Sequence, residues 1–411
     1  MEYLETSYDI IKDVYTKGAY VHVVLGNAGN KVTPLVTKIV YGTLENWLLL
    51  KYNLSLHYKK APQNTVLILL LISSYCLKFL SIPDHAVVNS SVDLMVKIGK
   101  KEAKGFVNKI LRIMASKDLV YPEKNSPVYD EVYFNLPSWI IRKVKQDYKD
   151  KYKEILKPSS FGYEHIRLNR NKINEKEFES KYEYYKKTNV GYFVNMSDEL
   201  KDLFKKGHIT IQSKGSIAVV DAIGEDLLNK LVLDVCAAPG GKSVYLAEKG
   251  AVVTSCDIHT HRVKLIDSYV KRVGVKLNIL ENDATVMNPE FIDKFDVVLV
   301  DAPCSGLGVI NRRQDMVFSK SETDIASLKK LQRKIIETSK NYVKKGGVLL
   351  YSTCTILKEE NHHVISSFLK ENPNFTFDKN TELTPVDGEV QILPIEEGEE
   401  GYYIARLKRV S

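Results

Sequence analysis

The stretch LVLDVCAAPGGKS, Leu231 to Ser243, reads as a short apolar strand that ends on an acid, Asp234, and passes through a turn with Pro239, Gly240 and Gly241 into a helix. The same grammar recurs downstream. AVVTSCD ends at Asp257, LNILEND at Asp283, FDVVLVDAPC at Asp301 and Cys304, and GVLLYSTC at Cys354, with amphipathic stretches between them. Apolar strands alternating with helices predict a parallel sheet covered on both faces, a Rossmann-like α/β domain from about residue 216 onward. Ligands of such sheets bind beyond the carboxyl ends of the strands. One acid there is an ordinary helix cap, but five chemically useful ends in series on one rim point to a site.

The glycine turn allows close backbone approach to a ligand, and Asp257, at the end of the second strand, can hold a ribose diol. A nucleoside cofactor is implied. The G-x-G-x-x-G spacing of a pyrophosphate cradle is absent, which counts against NAD and for S-adenosylmethionine. The competing reading is a turn that serves only tight strand-to-helix packing.

A chain of 411 residues exceeds one ordinary core, so two or three domains are expected. Residues 1–130 show apolar positions at helical spacing, as in VDLMVKIGKKEAKGFVNKILRIMA, and predict an all-α domain. Residues 131–215 read as a basic connector with a small α/β unit, containing a helix in SDELKDLFKKG and a strand in HITIQ; residues 216–411 form the third region. The start MEYLETSYDI lacks the basic head and apolar run of a signal peptide, which predicts a cytoplasmic protein. The apolar run VLILLLISSYCLKFL is shorter than the roughly 20 residues of a membrane span and predicts a buried helix.

Cys76, Cys236, Cys256, Cys304 and Cys354 are odd in number, without C-x-x-C spacing or finger-like pairing with the nine His, so reduced thiols and no metal are expected. The charge is local. Pro137 to Lys214 holds 18 Lys and Arg against 11 Asp and Glu, nearly all of the chain's net +8, interleaved with seven tyrosines from Tyr148 to Tyr192. That mixture suits phosphate contact with base stacking, and equally a solvated helical surface.

DVCAAPGGKS, DAPCSGLGVI, STCTILKEEN and the closing GYYIARLKR resemble, in the same order, the motifs of the Nop/Sun family of RNA cytosine C5 methyltransferases. YGTLENWLL, IPDHAVVNSSVDL and GFVNKILR resemble the NusB-like RNA-binding domain that a bacterial member of that family carries. The resemblance implies a NusB-like N-terminal domain, a Rossmann-like catalytic domain and S-adenosylmethionine-dependent methylation of C5 of one cytosine in small-subunit (16S) ribosomal RNA. It implies a cofactor site made of Cys236, Ala237, Ala238, Pro239, Gly240, Gly241, Lys242, Asp257, Ile258, Arg262, Asp283, Ala284 and Asp301. Beside it, a monomer that does not engage a membrane is expected. Cys236, like Cys256, also reads as a small strand residue. Ser213, Asn311 and Gln314 depart from the usual family residues, as does Ser90 in the N-terminal domain.

C5 of cytosine is a poor nucleophile toward a methyl sulfonium until a group adds to C6 and turns the ring into an enamine, which a thiolate does well. By analogy with the family, Cys354 is the attacking thiol. Cys304 then assists loss of the C5 proton and expulsion of the enzyme. Asp301 bonds the amino edge or protonated N3 of the base, Lys242 orients it, and Asp234 and Asp283 serve the methionine moiety and the adenine amino group. Without the resemblance, Asp301 and Lys242 read as a surface ion pair. Two other functions stay open: an RNA-binding ribosome assembly factor with an inactive methyltransferase domain, opposed by the intact Cys304, Cys354, Asp301 and Lys242, and a nucleotide-cofactor oxidoreductase, opposed by the missing glycine fingerprint.

Overall fold

The computed structural model describes residues 2–159, 161–224, 226–312, 317–318, 320–378 and 388–411, so Gln314 lies outside the described residues. The chain divides into two compact units, residues 1–158 with 312–322, and residues 159–311 with 323–411.

The first unit is helical. Its centre is the helix Asn64–Phe79, in which every residue from Val66 to Cys76 is buried. A run that apolar is accommodated because other helices surround it, each with an apolar stripe of its own. In Lys104–Ser116 the buried residues are Val107, Ile110, Leu111 and Met114, the i, i+3, i+4, i+7 pattern. Buried Asn53 ties helix to loop by a reciprocal pair of bonds with the backbone of Val120, both 2.9 Å. Asn135 ends the helix Tyr129–Phe134 in the left-handed region and binds Leu44 O and Leu48 N through its side chain, at 2.9 and 2.8 Å. Ser90 sits half-buried in the helix Asp84–Lys97. Among the described residues no helix is long and apolar enough to cross a membrane.

The second unit opens with a four-stranded antiparallel sheet, β1 (Glu164–Leu168), β2 (Lys186–Thr188), β3 (Gly191–Val194) and β4 (Ile209–Ile211), in the order β2-β3-β1-β4. Only β4 is legible in the sequence as a strand. β1 and β2 carry charged residues and β3 is the four-residue stretch GYFV; Ile166, Leu168, Tyr192 and Val194 share a core with Phe178, Leu200 and Leu203 of the helices Glu175–Lys181 and Asp198–Lys205.

The larger sheet has eight strands among the described residues: β5 (Leu231–Asp234), β6 (Val252–Asp257), β7 (Asn278–Glu281), β8 (Phe295–Asp301), β9 (Val343–Thr353), β10 (Phe375–Phe377), β11 (Glu389–Ile392) and β12 (Tyr402–Arg409). Its order is β10-β12-β9-β8-β5-β6-β7, with β11 on β12; β9 through β7 are parallel and β12 returns antiparallel. Alternation along each strand feeds two cores. Leu233, Val298, Val300, Leu349 and Tyr351 pack with Ile335, Ile336 and Phe368 on one face, while Val232, Val297, Leu299 and Leu350 pack with Val219, Val220 and Leu246 on the other. Burial on both faces is why these strands read as unbroken apolar runs. β7 stops at Glu281, so Asp283 stands in the turn beyond it.

Ser213 caps the helix Lys214–Asp221, accepting from Ser216 N at 3.3 Å. The resembled family usually has Asp at this position, and Ser and Asp cap helices about equally well, so Ser213 conserves the local job.

Leu299 is fully buried between β5 and β9. Leu299→Ala is expected to destabilise the second unit by about 2 to 5 kcal/mol, read as a lower urea midpoint for the probe that follows this unit.

Candidate active site

The rim beyond the carboxyl ends of β5, β6, β8 and β9 collects the charged groups of the larger sheet. At the end of β5, Asp234 is buried, accepts from the Ser243 hydroxyl at 2.7 Å through Oδ2, and has no hydrogen-bond partner for Oδ1 within the protein. Burial pushes its carboxyl up to about 7, with the Ser243 bond opposing. A buried acceptor with one open oxygen suits a cationic donor. In the turn that follows, Cys236 is half-buried and Pro239 exposed. The turn needs Gly240, whose φ of 110° is left-handed, and from it starts the helix Gly241–Glu248.

Asp257 ends β6 with its carboxylate 2% exposed, held by Arg262 at 3.2 Å and by the His259 amide at 3.3 Å. Arg262 also donates to Ala238 O at 3.2 Å, which ties the second turn to the first. Ile258 is exposed beside it, and Ala237 and Ala284 are buried. Asp283 accepts from the amide and hydroxyl of Thr285, at 2.8 and 2.7 Å, and these bonds hold its carboxyl below the ordinary range. The set fits S-adenosylmethionine: Asp234 would take its ammonium, Asp257 the ribose hydroxyls and Asp283 the adenine amino group. When bound, it supplies a methyl group on an electrophilic sulfonium. Among the described residues no group of three His, Cys, Asp or Glu side chains could hold a metal ion.

The reactive half comes from β8 and β9. Parallel pairing sets Asp301 opposite Ser352, and the Ser352 hydroxyl donates to Asp301 Oδ1 at 2.8 Å while Lys242 Nζ donates to Oδ2 at 2.7 Å. The Lys242 and Asp301 side chains are 12% and 27% exposed, so this is no solvated surface pair. Burial acts to lower the Lys242 pKa, but Asp301 and Tyr402 outweigh it and the ammonium is held well into its charged form. Lys242 Nζ also lies over the Tyr402 ring, 5.6 Å from its centre.

Cys304 and Cys354 follow β8 and β9, and their sulfurs lie 3.4 Å apart. All five cysteines are free thiols. The bond between the two thiols lowers the Cys354 pKa, with Lys242 adding to the effect against burial and Asp301; the same bond, burial and Glu360 raise that of Cys304. Lys242 is the cation that favours a Cys354 thiolate, while either sulfur can donate the bond between them.

Sequence reasoning missed Ser352, Tyr402, Glu360 and Gln332. The first three lie in quoted motifs. Glu360 is fully buried and reaches both cysteine loops, binding Ser305 N at 2.8 Å, the Ser305 hydroxyl, Thr355 Oγ1 at 3.1 Å and Gln332 Nε2 at 3.0 Å. Gly308 closes the same knot. Its amide donates to Cys354 O at 2.9 Å, and a Cβ there would fall 2.0 Å from Gly401 O. Asn311, a further departure from the family pattern, is buried, and its carbonyl accepts from the Ser159 amide.

A nucleoside-binding rim without a phosphate cradle, facing a lysine–aspartate pair and two thiols, defines a Rossmann-like S-adenosylmethionine-dependent methyltransferase. Residues 225–408 match the family model of the 16S rRNA methyltransferases RsmB/F, and residues 3–116 match that of the NusB family. The chain is 33% identical to the probable ribosomal RNA small subunit methyltransferase B of Bacillus subtilis, over 91% of this chain and 90% of the relative. It is 29% identical to ribosomal RNA small subunit methyltransferase B of Klebsiella pneumoniae, over 97% and 96%. The crystal structure of PH0851 shares the fold, with a TM-score of 0.79, 22% identity and coverage of 99% and 98%. The chain belongs to the RsmB/F family of 16S rRNA methyltransferases.

Asp257→Ala removes a charged acceptor, a loss of about 1.5 to 3 kcal/mol. Calorimetry is expected to show S-adenosylmethionine binding weakened about tenfold or more; unchanged affinity would mean that the ribose is held elsewhere.

Proposed function

We infer that this protein methylates C5 of a cytosine in small-subunit ribosomal RNA through a covalent adduct between Cys354 and C6 of the base. The observation that carries this reading is the 3.4 Å approach of the Cys354 and Cys304 sulfurs beside the Lys242–Asp301 pair. The RNA substrate is supported by the names of the relatives, both small-subunit ribosomal RNA methyltransferases.

The Cys354 thiolate forms a carbon–sulfur bond to C6, and the ring electrons move to C5, the atom that is methylated. Asp301 bonds the amino edge or protonated N3 and so favours the charge shift, held in position by Lys242 and Ser352. Cys304, once its own proton has passed to solvent, takes the C5 proton; the electrons of the C5–H bond re-form the C5–C6 double bond, and the C6–sulfur bond breaks with its electron pair leaving on Cys354 as thiolate. The target base has to leave any stack to expose its face to the thiol.

Cys354→Ala is expected to abolish methylation and to leave no covalent protein–RNA species. Cys304→Ala forms the adduct and accepts the methyl group but releases slowly, so a denaturant-resistant complex accumulates on gels with substrate RNA. Trapping by the Cys354 variant and not by the Cys304 variant would reverse the assignment.

The basic middle segment supports RNA contact through exposed Lys186 and Lys205. Lys187 and Lys206 are engaged with carboxylates, Lys187 with Glu175 and Glu179 at 3.0 and 2.7 Å and Lys206 with Asp202 at 2.6 Å, which reduces the charge they offer to phosphate. Reversing Lys186 and Lys205 to Glu is expected to flatten the salt dependence of RNA affinity by about 0.7 to 0.9 log units per log unit of salt for each phosphate that is no longer bound. An unchanged slope identifies these lysines as a solvated face and an edge-strand guard.

A further inference from the structure

Two thiols in contact cannot both be thiolates, and a mechanism with distinct roles needs one to lose its proton first. The charges around the pair are unequal. Lys242, on the helix Gly241–Glu248, acts on Cys354. Glu360 acts on Cys304, lies six residues beyond Cys354 in the chain, and is fully buried with no ion-pair partner among the described residues. Its carboxylate, an acceptor-only group, gathers Ser305 from the Cys304 loop, Thr355 from the Cys354 loop and Gln332 from the helix Glu322–Ser339. Gln332 Nε2 also bonds Pro303 O at 3.0 Å, next to Cys304.

We propose that Glu360 is a positioning residue: it clamps the two cysteine loops in register, and its buried negative charge keeps the shared proton on Cys304, so that Cys354 is the thiol that ionises. The proposal rests on the two-cysteine reading above and adds what decides between the thiols. The other titratable groups facing the pair are Asp301, Tyr351, Glu400 and Tyr402. Asp301 and Glu400 act on Cys354 and disfavour its thiolate, so Lys242 at Cys354 and Glu360 at Cys304 are the charges that work toward the asymmetry. Of the two thiol protons, the one on Cys354 Sγ is released to solvent when that thiol ionises, and the one on Cys304 Sγ stays and is shared toward Cys354 Sγ.

The test is thiol reactivity in the full-length protein without RNA. Initial rates of iodoacetamide labelling are followed against pH at each cysteine by peptide mass spectrometry, for the wild type, Glu360→Gln and Glu360→Asp. In the wild type Cys354 is expected to label at lower pH than Cys304. Glu360→Gln keeps the shape but not the charge and should lower the Cys304 midpoint, shrinking the Cys354 to Cys304 labelling ratio at neutral pH about tenfold for each pH unit by which that midpoint falls. Glu360→Asp keeps the charge while losing some of the bonds, and should retain the wild-type ratio. A ratio unchanged in Glu360→Gln, with stability lost equally in both variants, would make the residue merely structural and overturn the proposal. Should Glu360→Gln fail to fold, the wild type and Glu360→Asp decide: Cys304 labelling at or below the pH of Cys354 in either sinks it. Because no RNA is present, this result is independent of the adduct test, and either can fail alone.

Discussion

The pairing of β8 with β9 is the constraint on which the reactive half of the site depends. Two parallel strands held in one register bring Asp301 level with Ser352, and the loops that leave them carry Cys304 and Cys354 to a separation of 3.4 Å. A shift of one residue would turn every side chain of a strand to the opposite face and exchange the two apolar cores. Burial of both faces prevents that slip, so the hydrophobic effect, which has no direction of its own, fixes an ångström-scale chemical geometry.

Polar bonds then do what packing cannot. The Lys242–Asp301 pair joins the first turn of the sheet to the end of β8, and Glu360 joins the two cysteine loops to each other and to Gln332. Groups of this kind add little net stability when satisfied and cost much when one partner is removed, which makes them specifiers of geometry more than sources of stability. Charge is distributed to the same end. Lys242 and Asp301 act on Cys354 in opposite senses and Glu360 acts on Cys304, so two chemically identical side chains stand in unequal surroundings.

The cofactor half depends on strand ends and turns, and is correspondingly local. Asp234, the left-handed Gly240 and the start of the helix Gly241–Glu248 lie within a dozen residues, and Asp257 with Arg262 closes onto Ala238 across a single strand pair. The open Oδ1 of Asp234 is the least comfortable feature of the rim, a buried acceptor whose raised pKa reflects what it lacks.

The succession of strands β5 to β9 along the chain, the acids and thiols near their ends and the helical first region could be read from the sequence alone, because an apolar run that ends on a polar group is a local pattern with a local cause. The buried helix Asn64–Phe79 was legible for the same reason. Three strands of the small sheet were not, since β1 and β2 carry charges that break the apolar pattern, β3 is only four residues long, and β1 pairs with partners distant in sequence. Lys187 and Lys206 read as free positive charge until the fold set carboxylates beside them. The residues 312–322 join the helical unit only through tertiary contact, as when Phe318 meets Trp47 edge to face. Above all, a sequence names two cysteines fifty residues apart and a glutamate after the second, but proton sharing falls off within a few ångströms. Which thiol keeps its proton is decided by distance and by what charge is buried nearby, and only the folded chain sets those.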